Sequence, residues 1–123
     1  MNQSVNVRSI SLVSLGGILG SLLRFTIGEL LNNWRASTLV ANLLGVAIAT
    51  FLIVFIERRG STDQRHFWLP GFCAGLTTFS AVALLTLEPS EGGTMYISIM
   101  VVASLAIIAI LMPIARKLIP VRA

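Results

Sequence analysis

Gly71-Phe72-Cys73-Ala74-Gly75-Leu76-Thr77-Thr78-Phe79-Ser80 decides how this chain is read. The stretch sets two glycines and three hydroxyl side chains into a segment otherwise apolar enough to cross a bilayer. At bilayer depth such groups are tolerated where backbone carbonyls and hydroxyls line a cavity or bind something. The stretch therefore marks an ion or substrate path, on a membrane span interrupted within it.

The surrounding composition agrees. Of 123 residues, 55% are hydrophobic and only 11% charged, too few to cover a soluble domain, so the class is all-α integral membrane protein. Four apolar runs reach the roughly 20 residues that a bilayer requires: residues 10–31, 37–56, 67–87 and 94–118. Residues 32–36, 57–66 and 88–93 connect them, so the chain reads as one four-helix transmembrane domain over 1–123. Trp34, Trp68 and Tyr96 fall at span ends, where amphipathic rings sit at headgroup level. No cleavable leader is expected, because the first apolar run is too long and lacks a small-residue cleavage site. The lone Cys73 has no internal disulfide partner and reads as a small hydrophobe.

Nine basic residues stand against five acidic ones, and the basic ones lie at span ends. That placement suits anionic lipid headgroups and topology control rather than a nucleic-acid patch. Arg8, Arg58, Arg59, Arg65, Arg116, Lys117 and Arg122 share one side of a four-span chain, against Arg35 alone on the other. The positive-inside rule then places both termini in the cytoplasm, in one fixed orientation in the cell membrane.

Polar residues within the spans have competing readings. Interruption of the third span would free backbone carbonyls, which suit a hard cation such as sodium, while the hydroxyls of Thr77, Thr78 and Ser80 suit an anion. Alternatively those hydroxyls bond back to the preceding turn, as isolated serines and threonines do. Asn42, early in the second span, must find partners in hydrocarbon, either as a helix–helix contact or at a functional site. Phe79 reads as padding by periodicity, yet a ring edge is electropositive and can face an anion. Arg24 either snorkels to the interface or serves as a vestibule charge. Ser104, deep in the last span, reads as a pore donor or a helix contact. The pairs Gly16/Gly20, Gly45/Ala49 and Gly71/Gly75 have the spacing of close helix contacts. Packing explains the first two, whereas the hydroxyls after Gly75 favour a further role for the third. His66, placed in a connection, has no ligand or triad constellation around it, and no phosphate loop is present, so an enzyme is not expected.

Gly16-Gly17-Ile18-Leu19-Gly20 with Arg24, Thr38-Leu39-Val40-Ala41-Asn42-Leu43-Leu44-Gly45, and the Gly71–Ser80 stretch together resemble the CrcB/Fluc fluoride-channel family. The resemblance runs over essentially the whole chain. It implies four helices with the third broken, assembled as an antiparallel dimer with two narrow fluoride pores and a central structural sodium. It implies passive fluoride efflux that protects the cell from fluoride toxicity. It further implies sodium on the backbone carbonyls of Ala74 and Thr77, and a fluoride path on Asn42, Phe79, Thr78, Ser80 and Ser104. Arg24, Thr38 and Gly75 become vestibule or structural residues.

Departures from the family pattern are informative. Ala74 replaces a glycine, Ala81 a threonine and Val82 a second phenylalanine. Leu85 stands where an acidic residue is common and Met100 where a tyrosine can lie. Val82 removes one ring-edge donor and bears on one of the two pores. The charge bias also conflicts with a homodimer whose two copies insert oppositely. The expected partner is therefore an oppositely oriented paralogous subunit, with one competent pore, and a homodimer is the alternative. Two other readings remain: a small multidrug-type proton-coupled transporter, for which Glu29 is the only candidate membrane acid, and a non-conducting partner subunit.

Overall fold

A computed structural model describes residues 6–122 of the chain. Four of its helical segments are long and apolar enough to cross a membrane: Val7–Leu31, Trp34–Arg59, Thr62–Leu87 and Gly93–Leu118. The first two are α1 (Val7–Leu31) and α2 (Trp34–Arg59). The third segment comprises α3 (Thr62–His66), a π-helical stretch (Phe67–Cys73), the single turn α4 (Ala74–Leu76) and α5 (Phe79–Leu87). A 3₁₀ turn (Pro89–Glu91) leads into α6 (Gly93–Leu118).

The connections are shorter than hydropathy predicts, because capping residues compress them. Asn32 ends α1 in the left-handed region at φ 46°, and Asn33 caps α2 by accepting the Ala36 N–H at 3.0 Å. Two adjacent asparagines thus stop one helix and start the next, so α2 begins at Trp34. Between the second and third spans only Gly60 and Ser61 are non-helical. Ser61 and Gln64 form a reciprocal capping box that starts α3. Asp63, Arg65 and His66 therefore sit on a helix rather than in a loop, and Asp63 pairs with Arg8 at the start of α1.

Pro70 explains the π-helical stretch. Proline has no N–H to send back four residues, and the hydrogen-bond ladder around it shifts to wider rings.

Backbone approach governs how α1 meets the third span. A Cβ on Gly20 would lie 2.8 Å from the Leu76 nitrogen, and one on Gly71 would lie 2.9 Å from the Val13 carbonyl oxygen. The two glycine pairs therefore face each other across one helix crossing. Close packing is what Gly71 and Gly75 share with Gly16 and Gly20.

On the other side of the bundle α2 packs on α6. Val54, Ala115 and Ile119 form a core cluster there. Arg58 folds over it, donating to the Arg116 carbonyl at 2.7 Å and to that of Ile119, which pins the residues after α6 to the end of α2. At the opposite end Tyr96, near the start of α6, is buried against the neighbouring helices. Its hydroxyl donates to the Arg35 carbonyl at 3.0 Å, and the Arg35 guanidinium stands 5.6 Å over its ring.

Candidate functional site

Thr77 and Thr78 lie between α4 and α5 with extended dihedrals, φ −86°, ψ 156° and φ −146°, ψ 123° respectively. Extended residues inside a membrane-depth helix leave main-chain groups that must be met by other atoms. Three side chains from two other spans meet them. Asn42 of α2 accepts the Thr78 N–H on Oδ1 at 2.7 Å and donates from Nδ2 to the Thr78 carbonyl at 3.1 Å. Arg24 of α1 donates from Nη1 to the Thr77 carbonyl at 3.2 Å. Ser21, also on α1, donates to the Gly75 carbonyl at 3.4 Å.

Sequence reasoning missed Ser21. Its signal was available: a hydroxyl next to Gly20, on the face where the helix backbones come closest. Arg24 is inward-bonded rather than snorkelling. Thr77 follows the second of its two hydroxyl readings. Its Oγ1 bonds back to the Cys73 carbonyl at 3.0 Å, while its methyl fills the space that Gly45 leaves by lacking a Cβ.

Beyond Thr78 the helix restarts. The Thr78 hydroxyl caps α5 by accepting the Ala81 N–H at 3.4 Å, and it also lies 3.1 Å from the Ser80 hydroxyl. Phe79, the first residue of α5, is 77% exposed and projects its ring from the surface of the chain. Ala74 and Ser80 are exposed as well.

Thr77, Thr78 and Phe79 border an open groove of about 330 Å³ between α2, α5 and α6. Asn42, Thr78, Phe79 and Ser104 line it together, although they come from three different helices. Val82 and Met100 form its apolar edge, and both belong to the core cluster with Leu85 and Tyr96. Ser104 differs from several other span hydroxyls. Thr26, Thr50, Thr86 and Ser98 each bond back to the carbonyl four residues earlier. The Ser104 hydroxyl has no such bond among the described residues and lies in the groove. Thr38 is buried one turn before Asn42 and lies outside the groove lining. Glu29 is exposed and lies outside it too.

The groove's chemistry is that of neutral donors. Asn42 has a second amide hydrogen beyond the one given to Thr78, Ser104 offers a hydroxyl, and Phe79 offers ring edges. Asn42 is only 8% exposed, and among the described residues no carboxylate lines the groove. Such a set can strip water from a small anion without holding it as a fixed opposite charge would. Among the described residues no group of three or more His, Cys, Asp or Glu is placed to hold a metal.

The family model described as CrcB-like protein, Camphor Resistance (CrcB), matches residues 11–115. A relative from Xylella fastidiosa (strain M23), named "Fluoride-specific ion channel FluC", is 43% identical over 89 residues, covering 67% of each chain. One of the same name from Xanthomonas axonopodis pv. citri (strain 306) is 36% identical over 120 residues, covering 88% of this chain and 90% of the relative. A third of that name, from Methanococcus maripaludis, is 40% identical over 79 residues, covering 60% of this chain and 64% of its own.

Proposed function

The chain belongs to the CrcB family, and from that premise we propose that it is a subunit of a fluoride-specific channel. It is a multi-pass membrane protein and not an enzyme. It lets fluoride leave the cell passively and so protects against fluoride toxicity. One observation carries the reading: Asn42, Thr78, Phe79 and Ser104 meet in a groove at the point where the third span turns extended. Fluoride is small and strongly hydrated, so its passage needs several close, neutral donors that replace water and then release the ion.

The extended residues act as a break in the third helix. Its carbonyls at Ala74 and Thr77 hold a structural sodium. Main-chain oxygens are ligands suited to a hard cation, and the methyl of Ala74 does not alter its oxygen. Arg24 occupies one lone pair of the Thr77 carbonyl and leaves the second. When bound, sodium supplies positive charge at the centre of the assembly.

The functional unit is an antiparallel dimer. Exposure of Phe79 and Ser80 beside an open groove supports this, because hydroxyls facing lipid at that depth are unfavourable and a second chain would cover them. Both termini face the cytoplasm. The end carrying Arg8, Arg58 and Arg116 is held together by the Arg8–Asp63 pair and the Arg58 bonds, and Arg35 lies at the other end. One strongly biased chain does not readily insert both ways, so its partner is an oppositely oriented paralogous subunit. Replacement of a phenylalanine by Val82 leaves one competent pore in that pair.

The transporter alternative finds no support in the position of Glu29 outside the groove. Production of the chain in fluoride-sensitive bacteria, alone and with its paralogue, tests the reading. Rescue with the paralogue is expected, and full rescue by the chain alone would count against the mixed pair.

A further inference from the structure

We infer that Asn42 is also the positioning residue that frees the Ala74 carbonyl for a cation, an inference resting on the sodium reading above. In an uninterrupted α-helix the N–H of residue 78 bonds the carbonyl of residue 74. The preceding amide obeys that rule, with Thr77 N–H meeting the Cys73 carbonyl at 3.0 Å. Thr78 does not. Its N–H goes to Asn42 Oδ1 at 2.7 Å, and its carbonyl takes Asn42 Nδ2 at 3.1 Å. One side-chain amide thus meets both main-chain groups of Thr78, as the edge of a neighbouring strand would, and holds the residue extended at φ −146°.

The consequence falls four residues back. Ala74 itself keeps helical dihedrals, φ −67° and ψ −36°, so its oxygen still points along the helix axis toward the interruption. Its helical donor has been taken away. The carbonyls of Gly75, Thr77 and Thr78 each have a side-chain donor, from Ser21, Arg24 and Asn42, whereas Leu76 has none among the described residues. Ala74 likewise has none among them. A carbonyl without a donor at membrane depth calls for a cation or another polar partner. Asn42 therefore serves two places at once. Its oxygen creates the free carbonyl, and its remaining amide hydrogen serves the groove beside Ser104.

Thermal unfolding of the purified complex, in sodium chloride and in N-methylglucamine chloride of equal ionic strength, tests this. The wild type is expected to melt higher in sodium. N42A should lose that difference, because the Thr78 N–H is released to rejoin Ala74. N42D keeps an acceptor oxygen for that N–H and should keep the sodium difference while losing fluoride flux, since a carboxylate repels the anion. S104A removes a groove donor alone and should keep the difference. A full sodium difference in N42A, or none in the wild type, would overturn the inference. Fluoride efflux from liposomes made with the same preparations separates the two levels: wild-type efflux with a sodium response intact in N42A leaves the channel reading standing and removes this one.

Discussion

The Arg24 guanidinium reaches across the bundle and donates to the Thr77 carbonyl from 3.2 Å. A charge placed late in the first span is thereby tied to the extended residues of the third, and the site depends on a residue that is not itself part of the groove lining but holds one that is, Thr77. Removing it leaves a carbonyl without its charged donor. R24A should lower stability by about 1–3 kcal/mol, read as a fall in melting temperature, and R24K should lose less because one donor can still reach. An R24A protein as stable as the wild type would return Arg24 to the interface.

Gly20 and Gly28 lie on the same helix yet differ in what surrounds them. A side chain on Gly20 would meet the backbone of Phe72 and Leu76, whereas nothing lies within 4 Å of one on Gly28. G20A should destabilise the fold by about 1–3 kcal/mol through overpacking. G28A should be neutral, or stabilising by about 0.5–1 kcal/mol through reduced chain entropy. Denaturation of the two variants side by side checks the contrast.

Ser104 supplies a groove hydroxyl that the helix does not use. S104A should fold as the wild type does. Its fluoride flux should fall about tenfold, the consequence of losing one hydrogen bond to an ion worth about 1.5 kcal/mol. Electrode recording from liposomes measures it.

Val82 is 5% exposed and packs with Leu85, Tyr96 and Met100 while edging the groove. Placing a phenylalanine at this position, as the resemblance implies, is therefore not a simple gain. V82F should cost about 1–3 kcal/mol of stability, with no rise in flux, because a filled cluster has no room for the ring. A stable V82F with increased flux would show the ring turning into the groove.

The four spans are legible because each apolar run has the length that a bilayer demands, and no tertiary contact is needed to see it. The connections are less legible, since Asn32 with Asn33 and Ser61 with Gln64 compress them through caps whose strength depends on dihedral angles. Asn42 illustrates the limit of sequence at the site. A buried amide must find partners, but nothing local says that they are the main chain of Thr78, thirty-six residues away. That pairing depends on how α2 lies against the third span. Tyr96 shows the same limit: its place at a span end is legible, but its bond to the Arg35 carbonyl at the start of α2 is not. Pro70 carried a readable signal for an altered helix, which hydropathy alone overlooks.

Fluoride-electrode recording from liposomes that hold the complex purified from its native membranes tests the central claim most directly. Outward fluoride flux with no comparable chloride flux, abolished in N42D and reduced in S104A, is the predicted result. A complex that passes no fluoride, or passes chloride equally well, would contradict the assignment of the groove at Thr78 as a fluoride path.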